Sequence, residues 1–227
     1  MTTFISRRDL LKTTALLAGA RAFQASGTAA AQRTAEIAAR GAAPETLTAR
    51  EMEILDAIAA RLIPNDALGP GAVEAGATRY IDRALGGALA SSRQAYAAGL
   101  AALDRYAQSS RGKPFTDLPP ADQDSVLIDV ELGAATGFAG SSAPFFAMVL
   151  GHTHQGMFAD PFYGGNYDFA GWDLVGYPGV RTMVTAADQH SLEAKQLKPN
   201  HKSAYDYDAF NKAEARASRR GPDEGEA

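Results

Sequence analysis

Apolar residues recur at helical spacing in the stretch that follows Leu47. The apolar positions of this stretch are Ile54, Leu55, Ile58 and Leu62. They lie three or four residues apart, which places them on one face of an amphipathic helix. Thr48 and Glu51 have the spacing of a capping box, and Leu47 with Met52 that of a hydrophobic staple. Pro64 ends this first helix because a proline disfavours helical backbone at the residue before it.

A break rich in proline and glycine turns the chain before a second predicted helix. Its apolar positions are Val73, Ala77, Tyr80, Ile81 and Leu85. Gly86 and Gly87 end this helix, since glycine is favoured just beyond a helix C-terminus. Ser91 or Ser92 caps a third helix, whose inner face carries Tyr96, Leu100 and Leu103.

Two further helices complete the predicted body of the domain. The fourth opens at Pro119-Pro120 and runs to about Leu132, and the fifth runs from Pro144 to Met157. No alternation of apolar and polar residues typical of a strand occurs before residue 160. We therefore predict an all-α fold, an irregular helical bundle with short connections.

The chain changes character between Asp160 and Gly179, where glycine and aromatic residues are concentrated. The aromatic residues are Phe162, Tyr163, Tyr167, Phe169, Trp172 and Tyr177. Disordered segments are poor in aromatic residues, so we predict a long ordered loop near the C-terminus that packs against the bundle or against a partner. Residues 211–227 show no periodicity and are expected to form a mobile tail.

The N-terminus carries an export motif. Arg7 and Arg8 are adjacent and are followed by a short apolar run, which predicts a twin-arginine (Tat) signal over residues 1–31 with cleavage near Gln32. The apolar core is only half of the roughly 20 residues that a membrane-spanning helix needs. An amphipathic N-terminal helix of the fold is the alternative. Residues 32–46 are expected to form a linker and residues 47–210 a single domain.

Composition excludes several classes of site. The chain has no cysteine, which rules out disulfides, thiolate metal sites, cysteine nucleophiles and covalent c-type haem attachment on this chain. The net charge of −4 and the absence of a basic stripe argue against a nucleic-acid partner. The sequence contains neither a dinucleotide-binding glycine motif after a strand nor a nucleophile elbow.

Two groups of residues are candidates for chemistry. His152 and His154 could ligate a metal, but residues two apart on a helix point about 200° apart, so we expect one to be hydrogen-bonded inside the bundle and the other at its surface. Asp160, Asp168 and Asp173 could form an acid/base set. Because spacing in a glycine-rich loop fixes no separation between carboxylates, we expect them to cap turns instead.

Several segments together resemble a known family. They are residues 47–51, 54–64, 76–82, 156–166, 171–172 and 176–179. The Tyr-Gly-Gly-Asn run at Tyr163 to Asn166, followed by Gly-Trp and Gly-Tyr-Pro-Gly, resembles the gluconate 2-dehydrogenase subunit 3 family. The twin-arginine signal is also typical of that family.

The resemblance implies a role in a dehydrogenase complex. Members accompany a large flavin subunit of the glucose-methanol-choline (GMC) type that oxidises a sugar or polyol, and a multihaem cytochrome c subunit often takes the electrons. The small subunit is non-catalytic, holds neither FAD nor haem, stabilises the large subunit and supplies its export signal. The complex is periplasmic and associated with the membrane. Gluconate, glucose, fructose and the 3-position of glycosides are equally compatible substrates.

The aromatic loop is the predicted partner interface, since large rings bury much area and keep a polar tip. The interface set is Asp160, Pro161, Tyr163, Gly164, Gly165, Asn166, Trp172, Tyr177 and Pro178. One alternative is an internal loop packed on the bundle, with glycine serving only its turns. A second is a stand-alone periplasmic enzyme or sugar-binding module that stacks these rings on a pyranose.

Overall fold

The computed structural model of the chain describes residues 43–207 and Phe210. Within these residues it contains seven α-helices and no β-strand, so the all-α prediction is confirmed. The helices are α1 Ala49–Leu62, α2 Ala77–Leu85, α3 Arg93–Arg111, α4 Pro120–Glu131, α5 Ala143–Phe158, α6 Ala170–Val175 and α7 Ala186–Glu193. The predicted export signal and the predicted tail lie outside the described residues.

Helix α1 begins and ends where the sequence predicts. The Thr48 hydroxyl accepts the backbone N–H of Glu51 at 3.2 Å, and the Glu51 carboxylate accepts the backbone N–H of Thr48 at 2.8 Å. The residue before Pro64, Ile63, leaves the helical region with φ −136° and ψ 89°. Local sequence therefore sets both ends of the helix.

The main core lies where α1 contacts helices α2 to α5. The largest fully buried side chains include Tyr96, Phe115, Leu55, Ile58, Ile81, Leu85, Leu100 and Leu103. These residues include all three predicted for the inner face of α3 and two each from the predicted inner faces of α1 and α2, whereas Leu62 and Tyr80 are only partly buried. The bundle therefore forms because each amphipathic face is buried against another helix.

Helix α2 starts later than the sequence predicts. The apolar pattern includes Val73 in this helix, but residues 72–76 form turns and the helix begins at Ala77. Gly76 adopts φ +78°, a left-handed conformation that a helix interior does not accept. Ser92 occupies the N-cap position of α3, yet its side chain makes no capping hydrogen bond.

Helices α2 and α5 approach closely at a glycine. A Cβ atom on Gly156 would lie 2.7 Å from the Cα atom and from the carbonyl oxygen of Ala77, so only glycine fits there. A second buried cluster surrounds this contact and is built mostly from alanine: Ala59, Ala72, Ala75, Ala77 and Met157. Partly buried Ala170 and Leu174 of α6 pack on it, which attaches the C-terminal third to the bundle.

The C-terminal third contains more helix than the sequence pattern indicates. Short 3-10 turns occur at Pro161–Tyr163 and Tyr167–Phe169, and α6 follows directly, inside the segment that the sequence presents as a loop. Helix α7 has a capping box in which the Thr185 hydroxyl accepts the backbone N–H of Asp188 at 3.2 Å. None of the residues of α7 is buried.

Candidate functional site

The glycine- and aromatic-rich segment begins with a tight turn after α5. The Asp160 carboxylate accepts the backbone N–H of Phe162 at 2.9 Å and so caps the 3-10 turn Pro161–Tyr163. Gly164 follows with φ +90°, and the Arg83 guanidinium lies where its Cβ atom would be. The left-handed backbone at Gly164 therefore favours glycine, whereas the flexible Arg83 side chain could move to accommodate a Cβ atom.

Asn166 holds the middle of the segment on the end of α5. It is fully buried, and its backbone N–H donates to the carbonyl of Gly156 at 2.8 Å. Its side-chain amide donates to the carbonyl of Ala159 at 2.9 Å, and its side-chain oxygen accepts the N–H of Gly171 at 2.8 Å. Gly165 packs against the Gly156 carbonyl with no room for a Cβ atom. These residues form the scaffold of the segment.

Three non-glycine residues of the glycine- and aromatic-rich segment have left-handed backbone. They are Asn166, Asp168 and Phe169, with φ of 49°, 56° and 60°. Such conformations cost free energy and persist where surrounding contacts hold them. The contacts here include the Tyr167 ring, which packs on Gly76, and its backbone N–H, which donates to the carbonyl of Ala75 at 2.9 Å.

Trp172 anchors the second half of the segment. Its side chain is 6% exposed, and its indole N–H donates to the carbonyl of Phe158 at 2.8 Å. The ring of Tyr177 meets it edge to face with centroids 4.7 Å apart. A cavity of about 290 Å³ lies between Phe158, Trp172, Val175 and Tyr177. Tyr177 is 39% exposed and Val175 is 61% exposed, so the mouth of this cavity is apolar.

The structure divides the predicted interface set into scaffold and surface. Gly165, Asn166 and Trp172 are buried; Asp160, Pro161, Gly164 and Pro178 are half-buried. Tyr163 and Tyr177 are the exposed members, with Tyr163 51% exposed. Sequence reasoning omitted two exposed neighbours, Phe162 and Val175, although the aromatic residue beside Tyr163 was a usable signal.

A C-terminal strap, residues 200–207, crosses the Asp160–Tyr163 turn. The hydroxyl of Ser203 donates to Asp160 at 2.6 Å, and the backbone N–H of Ala204 donates to the same carboxylate at 2.8 Å. The Tyr205 ring stacks on Phe162 with centroids 3.6 Å apart. The Tyr205 and Tyr163 hydroxyls lie 2.8 Å apart. Sequence reasoning did not identify these contacts, which join residues about 40 positions apart.

The candidate acid/base carboxylates are engaged in these structural contacts. Asp160 accepts from the turn and from the strap, and an Asp173 oxygen lies 2.7 Å from Nε2 of His201. The His201 ring also stacks on Phe169 with centroids 5.1 Å apart. The third candidate, Asp168, is exposed on the 3-10 turn Tyr167–Phe169. The carboxylates of Asp160 and Asp173 thus fix loops in place, as expected for such residues in turns.

The two histidines of α5 separate as the helix geometry predicts. His152 is half-buried, its Nδ1 atom lies 3.0 Å from the Tyr96 hydroxyl, and burial lowers its pKa. His154 is exposed. Burial raises the pKa of Tyr96, which is fully enclosed in the core. Within residues 43–207 no three histidine, aspartate or glutamate side chains are grouped to hold a metal ion.

Tyr80 links two helices of the bundle. Its hydroxyl donates to the side-chain oxygen of Gln155 at 3.2 Å. Burial, followed by the nearby Tyr163 hydroxyl, raises its pKa. The hydroxyl contact of Tyr80 joins α2 to α5.

Arg7 and Arg8, the predicted export residues, lie outside the described residues. Among the helices that the structure describes, none combines the length and the apolar character needed to cross a membrane. Comparison with curated proteins and with solved structures gave no match. A family model does match, over residues 49–179, which span the bundle and the whole glycine- and aromatic-rich segment. The chain belongs to the gluconate 2-dehydrogenase subunit 3 family.

Proposed function

We propose that this chain is the non-catalytic small subunit of a periplasmic, flavin-dependent sugar or polyol dehydrogenase complex. It stabilises a large GMC-type flavoprotein subunit and carries that subunit through the twin-arginine pathway. The observation that carries the proposal is the family match over residues 49–179, and the pair Arg7-Arg8 supports the export role. The flavin belongs to the large subunit, and haem c belongs to a cytochrome subunit that accepts the electrons.

Surface chemistry supports the glycine- and aromatic-rich segment as the docking site. Tyr163, Val175 and Tyr177 are exposed. Tyr177 packs edge to face on the buried Trp172, Val175 ends the helix that carries Trp172, and Tyr163 lies two residues before the buried Gly165. Exposed aromatic side chains held on rigid backbone lose little conformational entropy when they dock, which suits them to be anchors of an interface. The cavity beside Trp172 would accept one apolar side chain of the large subunit.

The state of the carboxylates supports a non-catalytic role. General acid/base work on a sugar needs two carboxyl groups that face a common substrate. Asp160 instead accepts three hydrogen bonds from its own chain, and Asp173 pairs with His201. A carboxylate occupied in this way is a structural acceptor.

The same contacts disfavour the alternative of a stand-alone sugar-binding module. A pyranose stacks on the open face of an aromatic ring. Here Phe162 is stacked on Tyr205, Phe169 is stacked on His201, and Trp172 is buried against Tyr177. Phe162 and Phe169 each have one face covered by the chain itself and Trp172 is buried, so these three rings are poor platforms for a pyranose, whereas Tyr163 and Tyr177 remain exposed.

Co-expression tests the proposal. This chain carries the only tag and is expressed with a candidate GMC-type flavoprotein subunit, and the purified material is assayed for flavin absorbance and dye-linked sugar oxidation. We expect a yellow, active complex and loss of soluble flavoprotein when this chain is omitted. A colourless, well-folded chain that purifies alone would refute the accessory role.

Variants of the exposed aromatics test the site. The double variant Tyr163→Ala/Tyr177→Ala should reduce co-purified flavin at least tenfold, since loss of two interface anchors costs more than about 1.4 kcal/mol. Leu132→Ala is the matched control, because Leu132 is 75% exposed but lies at the end of α4 and outside the segment. Equal flavin recovery from both variants would move the interface elsewhere.

A further inference from the structure

The strap lies on the surface around Asp160, which belongs to the part of the chain that matches the family model. Without the strap this surface would be exposed. The family match ends at residue 179, whereas the strap comprises residues 200–207. Ser203 and Ala204 fill both oxygens of the Asp160 carboxylate, at 2.6 and 2.8 Å. Tyr205 covers one face of Phe162. The C-terminal extension therefore sits directly on the turn that contains part of the predicted interface.

A second set of contacts holds the start of the strap beside the end of the matched domain. The Asn200 backbone N–H donates to the carbonyl of Pro178 at 3.2 Å, and its side-chain amide donates to that of Val180 at 2.7 Å. The Tyr207 hydroxyl also donates to the Val180 carbonyl, at 2.8 Å. Both anchor points of the strap thus lie at predicted interface residues, Asp160 and Pro178.

The strap is held by polar contacts and ring stacking, with almost no core burial. Between residues 181 and 207, Ser203 is the one buried residue that the structure describes, and it is 8% exposed. Helix α7, which precedes the strap, buries none of its residues. Segments with few buried apolar contacts open at a small fraction of the free energy of global unfolding. The strap can therefore leave the turn while the bundle stays folded.

We propose that the strap is an intramolecular placeholder for the large subunit. In the free chain it is closed: it occupies both oxygens of Asp160, stacks on one face of Phe162 and contacts the Tyr163 hydroxyl. It is displaced when the flavoprotein docks on this turn. This inference rests on the proposed function. Closure shields part of an aromatic surface that would otherwise favour self-association before the partner arrives.

The strap also indicates the chemistry of the partner segment that replaces it. Asp160 accepts a hydroxyl and a backbone N–H from adjacent residues, and Phe162 stacks on the ring of the next residue. A partner segment that offers an extended backbone, a hydroxyl donor and a neighbouring aromatic ring would satisfy the same groups. Displacement is then an exchange of like contacts, which needs little net free energy.

A reversible cross-link tests whether the strap must open. The chain has no cysteine, so Val180→Cys/Lys202→Cys introduces a single pair at backbone positions where the Val180 N–H donates to the Lys202 carbonyl at 3.4 Å. A bismaleimide linker with a reducible bond locks the pair and leaves every contact of Asp160, Phe162 and Tyr163 native. Binding to the purified flavoprotein subunit is measured before and after reduction, with both single-cysteine variants as controls.

The locked chain should bind at least tenfold more weakly than the same chain after reduction. Tyr205→Ala, which removes the stacking and the hydroxyl contact, should associate faster and more tightly than wild type by a factor on the order of ten. Tyr205→Phe keeps the stacking and should fall between them. Equal binding of locked and released chains, or weaker binding of Tyr205→Ala, would overturn the placeholder.

The two proposals fail in different ways. If the wild-type chain binds the flavoprotein and the locked chain binds it equally well, the small-subunit role stands and the placeholder is wrong. If wild type, released and Tyr205→Ala chains all fail to bind it, the proposed function itself is refuted, and the placeholder with it.

Discussion

Asp82 on α2 accepts the backbone N–H of Leu47 at 2.7 Å, across 35 positions of sequence. The same carboxylate accepts the N–H groups of Glu45 at 2.7 Å and Thr46 at 3.0 Å. Asp82 is 1% exposed, so three backbone donors replace the water that its charge would otherwise bind. This contact fixes the entry of the chain into the domain, immediately before the capping box of α1.

Loss of the Asp82 charge should destabilise the domain. Asp82→Asn replaces one acceptor oxygen with an amide that faces a backbone donor, so the free energy of unfolding should fall by about 2–3 kcal/mol. Urea denaturation of the variant measures this. Asp117→Asn is the matched control, because Asp117 is exposed. Equal midpoints for the two variants would show that the three donors are satisfied without the carboxylate.

Two glycines of α5 should respond to alanine in opposite directions. Gly156→Ala forces α2 and α5 apart at Ala77 and should cost about 1–3 kcal/mol. Gly151→Ala meets no atom within 4 Å and should stabilise the helix by about 0.5–1 kcal/mol. Thermal unfolding of both variants gives the comparison. A Gly156→Ala protein as stable as wild type contradicts the close packing of these helices.

Two substitutions of Asn166 should distinguish the cost of backbone strain from the cost of lost hydrogen bonds. Asn166→Ala removes both side-chain hydrogen bonds and places alanine at φ +49°, so it should cost about 2–4 kcal/mol. Asn166→Gly loses the same hydrogen bonds without the strain and should be less destabilising than Asn166→Ala. Chemical denaturation ranks the two. If glycine is the worse substitution, the left-handed backbone contributes no strain.

Stability should decrease in mild acid because of His152. Burial lowers its folded-state pKa below the ordinary value of 6.5. As pH falls from about 6.5 through the lowered pKa, the unfolded chain takes up the proton first, and the free energy of unfolding decreases. His152→Asn, which keeps an acceptor for Tyr96, should reduce this dependence between pH 7 and 5. Unfolding midpoints across that range measure it.

His154→Asn is the control for that experiment, since His154 lies on the exposed side of the same helix. If His154→Asn reduces the pH dependence of stability as much as His152→Asn does, burial of His152 is not the cause of that dependence.

The adjacent arginines should be essential for export. The double variant Arg7→Lys/Arg8→Lys keeps the charge but removes the pair that the translocation receptor reads, so export of this chain and of its flavoprotein should stop. Immunoblots of periplasmic and cytoplasmic fractions measure both proteins. Arg21→Lys, after the apolar run, is the control. Periplasmic recovery of the double variant with its partner would disprove the assignment.

Much of the bundle could be predicted because its signals are local. The capping box at Thr48, the break at Pro64 and the paired prolines before α4 each act within a few residues, and the structure confirms the helix boundaries that they predict. The start of α2 was predicted too early, since the apolar side chain of Val73 suits a helix while the backbone of Gly76 ends the preceding turn. Helix α7 was missed although Thr185 and Asp188 have capping-box spacing.

The sequence predicts the glycine- and aromatic-rich segment as the candidate site, but it does not distinguish the buried residues of that segment from the exposed ones. Trp172 and Tyr177 look equivalent as interface aromatics, yet the structure buries the first on the Phe158 carbonyl and leaves the second exposed. The strap was not anticipated at all. Its contacts join Asp160 to Ser203 and Phe162 to Tyr205, and no periodicity links residues so far apart.

The sequence alone determined the helical class and the ends of several helices, because these depend on neighbouring residues, and its motifs identified the family. Tertiary structure decided which residues of the C-terminal third are buried and which are exposed to solvent. Asp82 reaches the N-terminal entry and Ser203 reaches Asp160 only after the bundle has brought distant segments together. Burial and hydrogen-bond partners of this kind depend on packing in three dimensions, which local propensity does not encode.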